Sequence, residues 1–372
     1  MKYEECLTMG YRVAIVGATG AVGQGIAKKL EERKFPADEI LFLASARSAG
    51  SKVEFGGKEF TVEEAVPERF DGVDIAFFSA GGNVSKQLAP EAVSRGAVVI
   101  DNTSAFRMDP DTPLVVPEVN REALKEHRGL IANPNCSTIQ MVAALEPVRR
   151  KYGLKKVIVS TYQAVSGAGA AAIGELEKQS TDMENRAGAE AELLPVKGDK
   201  KHYPIAFNAV PQIDVFSEDG YTFEEWKMIN ETKKILGMPE LSVAATCVRL
   251  PVVTGHSESV YFETGDPSAD TAGIRESLHQ AEGITVMDDP ENQSYPMPLF
   301  AEGKDDVFVG RLRRDLDTPG AFHFWVVADN LLKGAALNSI QIAEALIADG
   351  LLKGEKADGA RQHSNGDGHA VR

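Results

Sequence analysis

The sequence of 372 residues has few cysteines, no excess of basic residues and no long apolar run, and each shortage excludes a class of protein. Its three cysteines form no CxxC pair and no even set, which predicts free thiols in a reducing compartment. The 55 acidic and 40 basic residues give a net charge of -15, which argues against non-specific nucleic-acid binding. No apolar run approaches the roughly 18 residues of a membrane span, and the N-terminal residues lack a signal-peptide pattern. We therefore expect a cytoplasmic protein that binds neither nucleic acid nor a membrane, and that has no metal site.

A glycine-rich turn follows the first apolar run of the chain. Tyr11–Val16 is apolar and rich in β-branched residues, which is typical of a buried parallel strand. Glycines at 17, 20 and 23 come next with GxxGxxG spacing, and residues 24–33 have a helical pattern. Such a turn lets a pyrophosphate approach the backbone and lie on the helix N-terminus. The context favours dinucleotide binding over a merely structural turn.

The end of the second predicted strand, residues 40–44, favours NADP over NAD. NAD-binding proteins usually carry an acidic residue there for the ribose 2′-hydroxyl. This sequence instead has Arg47 and Ser48 at that place, while Asp38 and Glu39 come before the strand. A guanidinium and a hydroxyl suit a 2′-phosphate. A solvated loop arginine is the alternative interpretation.

The order of the apolar runs predicts two domains of different class. Up to residue 132, β-like runs alternate with helical patterns, as in a parallel sheet, whereas later strands come in runs with helices segregated. We therefore predict an α/β fold in which a Rossmann-like NADP-binding domain (11–136 and 330–352) carries an inserted α+β domain (137–329). A C-terminal helix is expected to return to the first domain. Residues 181–200 are expected to form a surface loop, and 1–10 and 354–372 to be flexible.

Cys136 lies where a reactive thiol is expected. It follows Asn133-Pro134-Asn135, after the short predicted strand 130–132 and before a predicted helix. Ligands bind at this edge of an open α/β sheet, and a helix N-terminus lowers the pKa of a thiol. We therefore interpret Cys136 as a nucleophile, against the alternative of a small buried apolar residue.

The second domain offers a few polar candidates for the same site. Arg249 and His256 share a strand–turn unit rich in proline and glycine, and histidine is the usual base near neutral pH. Gln163 heads a glycine-rich turn. Arg107 and Lys227 are cationic candidates for a phosphate site, although a solvated pair with a neighbouring glutamate is the simpler interpretation of Lys227 alone.

Five motifs, in order over residues 11–350, together resemble the aspartate-semialdehyde dehydrogenase family. They are Gly17-Ala18-Thr19-Gly20-Ala21-Val22-Gly23, Asn102-Thr103-Ser104-Ala105-Phe106-Arg107, Asn133-Pro134-Asn135-Cys136-Ser137-Thr138, Gln163-Ala164-Val165-Ser166-Gly167-Ala168-Gly169 and Arg249-Leu250-Pro251-Val252-Val253-Thr254-Gly255-His256. The resemblance implies an NADP-dependent oxidoreductase that converts L-4-aspartyl phosphate to L-aspartate 4-semialdehyde and phosphate through a cysteine thioester. That reaction serves the biosynthesis of lysine (through diaminopimelate), methionine, threonine and isoleucine. The family also implies a homodimer, with catalysis and dimerisation in the inserted domain.

The resemblance further implies a role for each matched residue. Cys136 would be the nucleophile, His256 the acid/base, and Gln163 the residue that orients the substrate. Arg249 would bind the substrate α-carboxylate, with Arg107, Asn102 and Lys227 at the phosphate site. The implied NADP contacts are Thr19, Gly20, Ala21, Val22, Arg47, Ser48, Ser166, Gly167 and Asn330.

Two other functions stay open at this point. N-acetyl-γ-glutamyl-phosphate reductase uses the same thioester chemistry on an N-blocked substrate, but the motifs around Cys136 and Gln163 favour the aspartyl enzyme. A non-catalytic NADP-binding regulator would be expected to have lost the cysteine or the histidine, and both are present.

Overall fold

A computed structural model describes residues 10–352 and contains two six-stranded sheets. The predicted flexible segments, 1–10 and 354–372, lie outside these residues except for Gly10. Within the described range no helix is long and apolar enough to cross a membrane.

The first sheet is parallel and has the strand order β5-β2-β1-β6-β7-β8, while β3 and β4 form a separate antiparallel pair. The strands are β1 Tyr11–Val16, β2 Ala37–Ala44, β3 Lys52–Phe55, β4 Lys58–Thr61, β5 Glu63–Glu64, β6 Ile75–Phe78, β7 Val98–Asp101 and β8 Leu130–Ala132. The helices of this part are α1 Ala21–Glu32, α2 Gly82–Ser94 and α3 Pro117–Asn120. β6 and β7 are buried along their whole length, as expected for a parallel sheet that is covered on both faces.

The second sheet is mixed and has the order β10-β9-β11-β14-β13-β12. Its strands are β9 Leu154–Gln163, β10 Ser242–Arg249, β11 His256–Thr264, β12 Ile284–Val286, β13 Val307–Arg314 and β14 Ala321–Ala328. The remaining helices are α4 Cys136–Tyr152, α5 Ala170–Ser180, α6 Phe223–Leu236, α7 Thr271–His279, α8 Pro298–Ala301, a π-helix Leu332–Ala336 and α9 Leu337–Ala348. Short 3-10 helices cover Pro67–Phe70, Arg121–Glu126, Val165–Ala168 and Arg186–Gly188.

Two helices, α4 and α9, follow a strand of one sheet and pack against the other sheet or its core. α4 lies in the apolar core of the second sheet, where Ile139 and Val142 pack among residues such as Val260. α9 instead packs in the core of the first sheet, where Ile340 and Val13 belong to the same apolar cluster. The predicted fold class, including the return of the C-terminal helix to the first domain, is therefore confirmed.

Several local predictions were wrong for identifiable reasons. One of the β-like runs before residue 132, residues 114–120, forms only a bridge from Leu114 to Ala132 and then helix α3, because Pro117 lacks an N–H and favours the first helical position. β2 begins at Ala37, so Asp38 and Glu39 lie inside its first half rather than before it. β3, β4, β12 and β13 were not predicted; β4, for example, has two charged residues before Phe60, its single large apolar residue. The segment 181–200 is not all surface, since Leu194 is only 1% exposed.

Candidate functional site

A cleft of about 530 Å³ lies where the carboxyl ends of strands from both sheets meet. Asn102 and Asn133 follow β7 and β8, whereas Gln163 and Arg249 end the parallel strands β9 and β10. Gln163 and Arg249 are direct register partners, so parallel pairing alone brings them side by side. Ten predicted residues line this cleft: Val22, Asn102, Arg107, Cys136, Gln163, Ser166, Gly167, Lys227, Arg249 and Asn330.

Cys136 is the first residue of α4 and is half-buried. Asn135 caps the helix, because its side-chain oxygen accepts hydrogen bonds from the Ser137 and Thr138 amides at 3.0 and 3.3 Å. Gly334 in the π-helix lies directly against the cysteine: a Cβ at that position would be 2.7 Å from the Cys136 Cβ. The thiol is thus held between a capped helix end and a glycine backbone.

The predicted low pKa of the Cys136 thiol is wrong for this structure. Burial, together with the Glu224 carboxylate, raises the pKa to about 12 against the opposing effects of Arg107, Arg249 and the Ser137 amide. Desolvation and a nearby anion therefore outweigh the helix N-terminus. Cys136 rests as a neutral thiol.

His256 begins β11 and is completely buried just behind the cleft. Its Nδ1 accepts a hydrogen bond from the Ala164 amide at 3.1 Å, so the proton of the neutral ring resides on Nε2. Burial and the nearby Arg249 cation lower the pKa of His256 to about 3, and Glu224 opposes both effects. His256 is therefore a neutral imidazole whose Nε2 lies 3.4 Å from the Gln163 amide nitrogen.

Glu224 is the common hydrogen-bond acceptor of the site. It accepts from Asn135 Nδ2 at 2.9 Å, from Gln163 Nε2 at 3.1 Å and from Lys227 Nζ at 3.1 Å. Burial favours the neutral acid, but the Lys227 charge and these hydrogen bonds lower the pKa of Glu224 to about 2. The predicted Lys227–glutamate pair exists, but it lies in the cleft on a buried carboxylate and is not the solvated pair of the simpler interpretation.

The two arginines of the cleft differ in how many of their donors are used. Arg107 donates to the backbone oxygens of Asn133 and Asn102 at 2.9 and 2.8 Å and pairs with Glu231 at 3.0 Å. Arg249 makes one hydrogen bond within residues 10–352, from Nη1 to the Ala164 oxygen at 2.8 Å. A guanidinium has five N–H donors, so Arg249 retains most of its capacity for an anionic ligand.

The glycine turn has the features of a dinucleotide site. Gly17 has a φ of +91°, and a Cβ there would lie 2.9 Å from the Ala80 backbone nitrogen. Gly20 caps α1 without a side-chain hydrogen bond, and the first turn has no acidic residue, so its amides can face a phosphate. Thr19, Gly20 and Ala21 are exposed at this turn, and Arg47 and Ser48 follow the adjacent strand β2. These five lie outside the cleft that contains Cys136.

Ser166, Gly167 and Asn330 are the cleft residues proposed from the sequence as further cofactor contacts. Ser166 and Asn330 hydrogen bond to each other at 2.9 Å, and Asn330 also accepts from the Gly255 amide at 2.9 Å. A Cβ on Gly167 would lie 3.0 Å from Arg249 Nη1, so the glycine keeps the space above the guanidinium open. The donor set and the open backbone fit a bound NAD(P), and within the described residues no group of three or more His, Cys, Asp or Glu side chains could hold a metal ion.

Sequence reasoning missed several residues that shape the site. Glu231 holds Arg107 and also accepts from the Asn135 amide at 2.7 Å. The sequence did contain a signal for the position of Glu231. Glu224, Lys227 and Glu231 recur at helical spacing on the face of α6 that contains the buried Met228. Leu193–Lys197 lines the cleft as well, and nothing local in its sequence indicates that position.

Known proteins are similar to this chain over nearly its whole length. Residues 12–127 match the family profile described as the NAD binding domain of semialdehyde dehydrogenase, and residues 145–333 match its dimerisation domain. The aspartate-semialdehyde dehydrogenase of Bacillus subtilis is 66% identical over 337 residues, which cover 91% of this chain and 97% of that protein.

Solved structures give the same result. A structure of aspartate semialdehyde dehydrogenase II from Vibrio cholerae, complexed with ASA, is 47% identical with a TM-score of 0.85 over 92% of this chain and 99% of that one. The enzyme with NADP from Candida albicans is 26% identical with a TM-score of 0.71, over 92% and 99% of the two chains. Two matched domains, a shared fold and a shared sequence lead to one conclusion: this chain belongs to the aspartate-semialdehyde dehydrogenase family.

Proposed function

We propose that this chain catalyses the NADPH-dependent reductive dephosphorylation of L-4-aspartyl phosphate to L-aspartate 4-semialdehyde and phosphate. The observation that carries the proposal is the convergence of Cys136, Gln163 and Arg249 on one cleft, with His256 directly behind it. The enzyme is an oxidoreductase of amino-acid biosynthesis, consistent with the relatives that share its sequence. Its product precedes lysine (through diaminopimelate), methionine, threonine and isoleucine.

The first step forms a thioester on Cys136. The sulfur attacks the acyl carbon, the S–C bond forms, and the bond from carbon to the phosphate oxygen breaks. Because the pKa of Cys136 is about 12, the thiol loses its proton as the S–C bond forms, and the leaving phosphate carries that proton away. Splitting the reaction through a covalent intermediate replaces one difficult step by two easier ones.

The second step reduces the thioester. The nicotinamide cofactor, when bound, supplies the hydride. His256 Nε2–H donates a hydrogen bond to the oxygen of the tetrahedral intermediate, since its Nδ1 is already occupied by the Ala164 amide. Collapse of that intermediate breaks the C–S bond and releases the aldehyde and the Cys136 thiolate, which regains a proton from solvent. We propose that Gln163 orients the acyl group, since its own amide is fixed by Glu224 at 3.1 Å.

We assign the anionic groups of the substrate to the cationic side chains whose N–H donors are not all used within the protein. Arg249 binds the α-carboxylate through its remaining N–H groups. Lys227 is already paired with Asp214 and Glu224 at 2.9 and 3.1 Å, and its third N–H is left for the phosphate, together with Arg107 and Asn102.

We propose that the cofactor is NADP and that Arg47 and Ser48 bind its 2′-phosphate. The pyrophosphate would lie on the glycine turn, against Thr19, Gly20, Ala21 and Val22. The nicotinamide end would contact Ser166, Gly167 and Asn330. Arg47→Ala should weaken NADPH binding by about 10- to 100-fold, the equivalent of a charge-assisted hydrogen bond, and leave NADH binding unchanged. Arg128→Ala, which changes an exposed arginine paired with Asp111, is the control. An equal loss for both cofactors would refute the assignment.

One assay tests the reaction itself. Phosphate-dependent reduction of NADP should proceed with aspartate semialdehyde and not with N-acetyl-glutamate semialdehyde; activity with the second substrate only would favour N-acetyl-γ-glutamyl-phosphate reductase. Cys136→Ala should abolish turnover and leave NADPH binding nearly intact, as measured by fluorescence titration. Turnover comparable to that of the wild type in Cys136→Ala would refute the assignment of Cys136 as the nucleophile. A wild-type protein that is inactive on both substrates would favour the non-catalytic NADP-binding regulator.

The remaining assignments are proposals of the same kind. The match to a dimerisation domain supports the expected homodimer, which ultracentrifugation would test. The domain bounds of 11–136 with 330–352 and of 137–329, and the cytoplasmic location, stay predictions.

A further inference from the structure

Asn338 and Ser339 are adjacent polar residues that α9 buries behind the candidate site. The helix packs in the core of the first sheet, where Ile340 and Ile342 are buried, and both polar side chains are completely buried as well. None of the residues 337–348 lines the cleft. Because a buried polar group is costly unless it is hydrogen bonded, the partners of these two side chains indicate what they do.

Both side chains donate to the amide oxygen of an asparagine in the cleft. Ser339 Oγ lies 2.7 Å from Asn102 Oδ1, and Asn338 Nδ2 lies 2.7 Å from Asn133 Oδ1. The two asparagines directly follow the paired strands β7 and β8, so they are neighbours at the carboxyl edge of the sheet. α9 therefore contacts, from behind, two residues that line the cleft.

The contact between Ser339 and Asn102 shows where the hydroxyl proton lies. An amide oxygen has no hydrogen, so a separation of 2.7 Å between Ser339 Oγ and Asn102 Oδ1 is a hydrogen bond only if the hydroxyl donates. Ser339 Oγ also lies 3.0 Å from the Ala335 backbone oxygen, four residues earlier in the chain. The hydroxyl has a single proton, and the shorter contact is the one to Asn102. A serine that bonds back to its own helix is the alternative interpretation.

The orientation of the Asn102 amide is set by its other contacts. The backbone N and the side-chain Nδ2 both donate to the Phe78 oxygen, at 2.9 and 3.2 Å, and the backbone oxygen accepts from Arg107 at 2.8 Å. Turning the amide round would place Oδ1 against the Phe78 oxygen. With Oδ1 on Ser339, the second N–H of Nδ2 has no acceptor among residues 10–352 and is available to an anion in the cleft.

We propose that Ser339 is a positioning residue of the phosphate site, because it holds the Asn102 amide so that an N–H faces the phosphate. The inference rests on the proposed role of Asn102 in phosphate binding. Ser339 is completely buried and does not line the cleft, so it contacts no ligand itself. Without the hydroxyl, Asn102 Oδ1 loses its donor, and an amide that turns to find another presents its oxygen to the anion.

The test compares Ser339→Ala with Ser277→Ala in the full-length protein, with NADP, phosphate and aspartate semialdehyde as substrates. We expect Ser339→Ala to raise the KM for phosphate by about 2- to 10-fold, the equivalent of one hydrogen bond. The KM for NADP, the KM for aspartate semialdehyde and kcat at saturating phosphate should be nearly unchanged. Ser277→Ala is the matched control, because this hydroxyl in α7 makes one hydrogen bond within residues 10–352, to the Gly273 oxygen four residues earlier at 2.8 Å. It should change none of these values.

A double-mutant cycle with Asn102→Ala separates this inference from the proposed function. Asn102→Ala should raise the KM for phosphate, and Ser339→Ala should add nothing in that background, because the hydroxyl then has no amide to hold. A wild-type phosphate KM in Ser339→Ala, an equal rise in Ser277→Ala, an equal rise for all three substrates, or a full further rise in the double variant would each overturn the inference alone. An unchanged phosphate KM in Asn102→Ala would overturn the role of Asn102 and the inference together.

Calorimetric titration with inorganic phosphate gives the same comparison without turnover. Ser339→Ala with bound NADP should bind phosphate more weakly than the wild type, by the same factor as its KM rises. That result in a protein inactive on both semialdehydes would support the inference and contradict the proposed reaction. Equal phosphate affinity in Ser339→Ala and the wild type would overturn the inference even in an active enzyme.

Discussion

Gly334→Ala is the sharpest test of how the fold holds the nucleophile. Gly334 is buried in the π-helix Leu332–Ala336, and an added Cβ would lie 2.7 Å from the Cβ and 3.2 Å from the Cα of Cys136. Carbon atoms normally approach to about 3.5–4.0 Å, so the two backbones have to separate by about 1 Å. Neither contacted atom is the far end of a flexible side chain, which leaves no inexpensive way to relieve the clash.

Two effects of this methyl group can be compared by magnitude. Overpacking of a buried site costs about 1–3 kcal/mol, which reduces stability but leaves a folded enzyme. A displacement of about 1 Å at a reacting atom can cost about 100-fold in rate. We therefore expect Gly334→Ala to remain folded at 25 °C, with its kcat reduced about 100-fold and its cofactor affinity nearly unchanged.

The assay pairs steady-state kinetics with urea unfolding and with the rate of Cys136 alkylation in the absence of substrate. Gly174→Ala in α5 is the control, because a Cβ there meets open space and the substitution should stabilise the helix by up to about 1 kcal/mol. A Gly334→Ala enzyme with wild-type kcat and wild-type alkylation rate would refute the reasoning, since the π-helix would then place no restriction on the thiol.

Two further predictions concern buried ionisable groups. Because the folded-state pKa of His256 is about 3 against 6.5 for the free side chain, the unfolded chain binds one more proton between these values, and acidification costs about 1.4 kcal/mol of stability per pH unit across that window. His256→Gln should therefore flatten the plot of unfolding free energy against pH from 6.5 to 3, and an unchanged slope would contradict a neutral His256. Lys333 is buried and lies 2.6 and 2.7 Å from the two Glu118 oxygens, so Lys333→Met alone should lower the free energy of unfolding by about 3–5 kcal/mol, since Glu118 is left unpaired. Adding Glu118→Leu should recover much of that loss in urea unfolding; no recovery would mean that the pair is not the cause.

Local patterns in the sequence were enough for much of the architecture. The predicted bounds of β1 agree with the structure because their cause, a β-branched apolar run, acts over a few residues. The ends of α6 also have local causes, which are a capping box of Thr222 and Glu225 and Gly237 at its C-terminal end. Parallel strands place their carboxyl ends at one edge, so a motif after each strand already implied a common site. The family resemblance then made that site specific.

The tertiary structure decided the chemistry of the residues at that site. Sequence position predicted a low pKa for Cys136, but the pKa depends on desolvation and on Glu224, which comes from a helix of the other domain. Arg107 and Glu231 meet across 124 residues, and Lys333 and Glu118 across 215. Helical and strand periodicity extend over a few turns only, whereas electrostatic free energies depend on every charge and every layer of protein within a few ångströms. The sequence therefore identified ten of the residues that line the cleft, and only the packing of the two sheets determined the protonation states of its ionisable groups.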